Sequence, residues 1–149
     1  MWTKAQSELL NVILDHLIPP RADGSAPGAG ALGVAEFLPT ATPFAEDPVG
    51  TVTAVLDHVS KTAPDFLSQS AAAQVAVLKA TEAAVPAPFA CLVRLTYMGY
   101  YSRPDTRPYV GVGAHPIHPE GYPVPSESAE SLAELTAPVR RRGQIYRNA

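Results

Sequence analysis

Apolar side chains recur at spacings of three and four from the start of the chain to Tyr101, the pattern of helices with one buried face. Leu9, Leu10, Ile13, Leu14 and Leu17 form the first stripe and predict a helix over about residues 4–17. Thr3 and Gln6 stand ahead of it at capping-box spacing. Pro19 and Pro20 end it, because neither has an N–H to give the helical ladder. RADGSAPGAGA then reads as a loop, and 31–38 as a short helix covered by Leu32, Val34, Ala35, Phe37 and Leu38. Val49, Val52, Val55, Leu56 and Val59 predict a second long helix over 49–61, with a strand at VTAV as the competing local reading. Ser70 is placed to cap a third, running to Val85 and packed through Ala71, Val75, Leu78 and Ala83. Phe89, Leu92, Val93, Leu95 and Thr96 carry a fourth over 89–101, with Pro88 near its first turn.

The pattern breaks after Tyr101. Residues 102–125 hold six prolines and three glycines, which forbids a long regular helix. They keep Tyr109, Val110, Val112, Ile117, Tyr122 and Val124, an apolar content that a solvated linker does not need. The expectation is a mainly α protein: a small orthogonal helical bundle or platform over 1–101, then a Pro/Gly/Tyr-rich extended arm over 102–149. That arm includes a short helix over 126–137, ended by Pro138, and a basic tail, RRRGQIYRNA. The alternative for the arm is packing against the chain's own helices.

Composition narrows the function classes. With 149 residues the chain is long enough for a sizeable core, and 46% apolar content argues against global disorder. Charged residues are only 17%, which suggests surface that another protein covers. A net charge of -3 gives little support to nucleic-acid binding. Cys91 is the single cysteine, so no internal disulfide, C-x-x-C pair or c-type haem attachment exists. No apolar run reaches the roughly 18–20 residues of a membrane span. MWTKAQSELL does not read as a secretory leader, so the expected location is cytoplasmic, or periplasmic if a leader is processed or a partner carries the chain.

Candidate chemistry is sparse. Asp15–His16 and Asp57–His58 are acid–imidazole pairs, but neighbours on a helix point about 100° apart, and His16 also suits a helix C-terminus. His115 and His118, with Glu120, are too few and too loosely patterned to predict a metal site. Cys91 in PFACLVRL reads as a packed thiol. PGAGALG matches neither dinucleotide nor P-loop spacing and reads as a turn for close backbone packing. No G-x-S-x-G elbow is present. No catalytic, cofactor-binding or metal-ligating residue is therefore assigned. YMGYYSRP and YVGVGAHPIHPEGYPVP instead gather interface-type side chains: Tyr97, Met98, Tyr100, Tyr101, Arg103, Arg107, Tyr109, His115, His118 and Tyr122.

LLNVILDHLIPP followed by PGAGALGVAEFL, then PFACLVRLTYMGYYSRPDTRPYVG and the closing EGYPVP, occur in an order that resembles the gluconate 2-dehydrogenase subunit 3 family. The resemblance covers about residues 8–125, its middle mainly by helical pattern. It implies a largely helical small subunit that stabilises or matures a large FAD-dependent dehydrogenase of the glucose-methanol-choline type. The substrate would be a sugar, glycoside, sugar acid or related alcohol. In some such assemblies a multihaem cytochrome c is added. The small subunit would hold no cofactor and be noncatalytic. Alternatives are an arm that lines the shared active-site cavity and tunes access and, less in keeping with the residues, a stand-alone small enzyme.

Overall fold

The first helix, α1 (Lys4–Leu17), begins where the sequence places its cap. Gln6 N–H donates to Thr3 Oγ1 at 3.2 Å, and the Thr3 N–H donates to Gln6 Oε1 at 3.0 Å, satisfying two donors that a helix start leaves free. In the computed structural model the described residues are 2–110 and 126–143, falling in two units, Met1–His115 and Pro116–Ala149.

In the first unit α1 is followed by 3-10 turns at Val34–Glu36 and Leu38–Thr40, then α2 (Pro48–Thr62), a 3-10 turn at Phe66–Ser68, α3 (Ala71–Ala84) and α4 (Pro86–Tyr101). A last 3-10 turn, Pro104–Val110, packs on α4. No strand occurs among the described residues, so VTAV is helical: the Asp47 carboxylate caps α2 through the Gly50 N–H at 2.8 Å, and Pro48 takes the first helical position. The predicted helix over 31–38 is instead two 3-10 turns. Gly33 at φ 80° precedes the first, and Pro39, which has no N–H to donate, keeps the ladder from running on from the first into the second.

The core sits where α2 lies along α4, with α3 against both and α1 closing the far side. Ile13, Leu14, Val52, Leu56, Leu92 and Leu95 are fully buried in it. Trp2 extends this contact before α1 begins: its indole N–H donates to Thr53 Oγ1 at 3.0 Å.

The buried face of α3 differs from the expected one. Gln74, Leu78 and Thr81 point inward, while Ala71 and Ala83 are exposed and Val75 is 39% exposed. An alanine-rich helix has no sharply apolar side, so polar groups with partners decide its rotation. Gln74 Nε2 donates to the Phe66 carbonyl at 2.8 Å, and Gln74 Oε1 lies 2.8 Å from His16 Nε2. Between α3 and α4 the chain turns through 119° at one residue, Val85. No single helix among the described residues is long and apolar enough to cross a membrane.

The Gly-rich loop folds onto α1. Asp15 Oδ1 accepts the Gly30 N–H at 2.7 Å and the Ala31 N–H at 3.2 Å. Asp15→Ala should destabilise the protein by about 2 kcal/mol, since a bond to a charged acceptor is lost at the buried Gly30. Asp15→Asn, which keeps an acceptor, should lose less. Urea unfolding midpoints at neutral pH check both.

In the second unit, α5 (Ala129–Arg142) is longer than predicted. Ser128 caps it by accepting the Ser131 N–H at 3.1 Å. Pro138 lies inside it and does not end it. A proline deletes one ladder bond and bends a helix, but the turns either side still form, here with Arg140, Arg141 and Arg142 complementing the C-terminal dipole.

Candidate partner-binding surface

Helix α4 has one face in the core and one in solvent. Phe89, Leu92, Leu95, Thr96, Gly99 and Tyr100 point inward. Ala90, Arg94, Tyr97 and Tyr101 fall on the opposite stripe, at steps of four, three and four, and all are exposed. Tyr97 and Tyr101 are each 46% exposed, with ring centroids 5.8 Å apart. Tyr101 also meets Tyr100 edge to face at 5.0 Å. These contacts hold two large amphipathic rings at the surface of a helix whose other side is fixed by packing.

Arg94 extends the patch. Its Nη2 donates to the Phe44 carbonyl at 2.8 Å, tying the loop before α2 to α4 and holding Phe44 at 48% exposure. Neither Phe44 nor Arg94 is among the residues singled out from the sequence. The available signal was Arg94 as the one charged residue in PFACLVRLTYMGYY.

Tyr100 corrects the sequence reading. It is 3% exposed and its hydroxyl donates to the Pro27 carbonyl at 2.8 Å, so it pins α4 to the Gly-rich loop and presents nothing to a partner. Burial raises its phenol above the ordinary value, keeping the donor protonated. Met98 is likewise partly buried against the core. Gly99 explains the close approach beside it: a Cβ there would stand 2.6 Å from Phe37 Cδ1 and 2.9 Å from Val34 Cγ1.

The stretch after α4 is not extended as far as Val110. Pro104–Val110 is a 3-10 turn held by Thr106, a buried residue whose Oγ1 lies 2.7 Å from the Tyr100 carbonyl and 2.8 Å from that of Arg103. Threonine here closes the turn on the helix end, so residues 102–110 continue the helical unit. Arg103 pairs with Asp105, Nε to Oδ1 and Nη2 to Oδ2 both at 3.1 Å. That hydrogen bonding holds the Asp105 carboxyl below its ordinary value. Tyr109 is half-buried in the same turn. Nothing is described of the Arg107 side chain, and His115, His118, Tyr122 and the rest of the arm over 111–125 lie outside the described residues.

The Asp–His pairs do not form dyads. Asp15 faces the Gly-rich loop, whereas His16 faces Gln74 and stands edge-on to Phe66 with centroids 6.5 Å apart. Gln74 donates its amide N–H to Phe66, so its oxygen must accept from His16 Nε2–H. Cys91 is half-buried, with Arg94 Nη2 3.8 Å from its sulfur. Among the described residues no group of three or more His, Cys, Asp or Glu side chains could hold a metal ion.

A family model described as gluconate 2-dehydrogenase subunit 3 matches residues 4–107, most of the chain. The match spans the first motif group and most of the second, ending at Arg107, and stops short of EGYPVP. No curated protein and no solved structure matches the chain.

Proposed function

The chain belongs to the gluconate 2-dehydrogenase subunit 3 family, and from that premise we propose that the solvent face of α4 docks on a large FAD-bearing dehydrogenase of the glucose-methanol-choline type. The accessory-subunit role comes with the family. The proposed partner oxidises a sugar, glycoside, sugar acid or related alcohol, and the flavin and the redox step belong to it. This chain contributes a packed platform that holds the partner's fold by covering apolar surface.

One observation carries the reading: Tyr97 and Tyr101 stand exposed side by side on a helix whose opposite face is packed in the core. Tyrosine loses little side-chain freedom on binding and brings both apolar area and a hydroxyl, which makes it a frequent interface anchor. Phe44 and Arg94 extend the same surface. Truncating an aromatic pair of this kind costs an interface about 2–4 kcal/mol in all.

Purification of the tagged full chain from its native cells is expected to yield a yellow complex with flavin absorption. Tyr97→Ala/Tyr101→Ala should weaken that complex by about a hundredfold, roughly 2.7 kcal/mol, with the melting of the chain itself little changed. Equal copurification of the flavoprotein by the double variant would overturn the placement of the interface. Sugar oxidation by the isolated chain would overturn the division of labour.

A further inference from the structure

The second unit carries an apolar stripe of its own. Leu132, Leu135 and Val139 are 48%, 65% and 63% exposed, and α5 buries none of its residues. Their spacing, i, i+3 and i+7, is that of a helix whose apolar face enters a groove. A 14-residue helix with an internal proline has little stability of its own in water, so the face gains from being covered.

We propose that α5 is a second docking element for the catalytic subunit, seated in an aliphatic groove whose rim carries carboxylates. This rests on the accessory-subunit reading above. The charge pattern selects the occupant. At about 100° per residue, Arg140 and Arg142 fall on opposite flanks of the stripe, while Glu130, Glu134 and Arg141 lie on the far side. The partner surface beside the stripe therefore meets guanidinium groups on both edges, which favours acidic rims. A second copy of α5 fits less well. In an antiparallel pair Arg142 would face Ser128 and Ser131, and Arg140 would face Ala129 and Ala133, with Glu130 and Glu134 turned away. An anionic membrane also fits less well, because Glu127, Glu130 and Glu134 balance Arg140, Arg141 and Arg142. Docking at both α4 and α5 would make the second contact intramolecular, slowing release without a larger interface on either unit.

The test uses the full chain and the flavin-bearing subunit that copurifies with it, followed by dissociation of the purified complex. Leu135→Asp is expected to release the subunit at least tenfold faster, with the melting of the helical core unchanged. Arg140→Glu/Arg142→Glu should release it faster too and flatten the dependence on salt. Release of both variants at the wild-type rate would overturn the proposal while leaving the accessory role standing. Absence of any flavoprotein from the wild-type purification would remove that role and the proposal together. A wild-type dimer of the isolated chain that Leu135→Asp dissolves would assign α5 to self-association and overturn the proposal. So would flotation with phosphatidylserine vesicles that the same variant abolishes.

Discussion

Gly30→Val is expected to lower the stability of the protein by about 3–5 kcal/mol, enough to leave a large unfolded fraction at room temperature. The reason is the approach of two backbones. A Cβ on Gly30 would stand 2.8 Å from the Asn11 carbonyl carbon and 3.0 Å from Asn11 Cα, and would meet the carbonyl oxygen closer still. Main chain in the middle of α1 cannot swing aside as a side chain can. The loop would have to lift, and lifting it also breaks the bonds from the Gly30 and Ala31 N–H groups to Asp15. Gly24→Ala is the matched comparison. Gly24 has φ 71° but nothing within 4 Å of a new Cβ, so only the backbone penalty of about 1–2 kcal/mol applies. Chemical denaturation of the two variants should therefore separate them by at least about 1 kcal/mol. Equal midpoints would mean that the loop is not seated on α1.

Leu56→Ala should cost about 3–5 kcal/mol. Leu56 is 0% exposed on the buried face of α2, the helix that lies along α4, and is among the largest fully buried side chains of the described residues. Its removal loses the transfer free energy of the side chain. It also leaves a cavity that neighbours can fill only partly, since helices are held on three sides. Lys61→Ala, on the exposed side of the same helix, should stay within about 0.5 kcal/mol of wild type. Thermal and urea unfolding of the full chain check both. A loss under about 1 kcal/mol at Leu56 would show that α2 and α4 do not pack as described.

Where a local rule has a single solution, sequence and structure agree. Thr3 and Gln6 can cap only a helix that starts at Lys4, Ser70 one that starts at Ala71, and Pro19 ends what precedes it. The rotation of a helix about its axis is harder to read when its composition is uniform. α3 offers alanine in most directions, and its orientation follows from Gln74 reaching Phe66 and His16, partners from two other elements. The tyrosines of α4 pose the same problem. Tyr97, Tyr100 and Tyr101 are one residue type, and only tertiary contacts separate the inward ring from the two outward ones. The decisive partner of Tyr100 is the Pro27 carbonyl, 73 residues away. Gly99 held part of that information, because a glycine within a helix marks the side where something comes close. Pro138 is the converse case: a residue that normally ends helices stands inside α5.

The bond from Trp2 to Thr53 gives the protein a built-in optical probe. Trp2 is the single tryptophan of the chain, half-buried and fastened across the start of α1 to α2. Indole emission shifts to longer wavelength when water reaches the ring, so fluorescence of the unlabelled protein follows the seating of those two helices alone. Fraying of the amino-terminal segment would appear in that signal before circular dichroism registered any loss of helix.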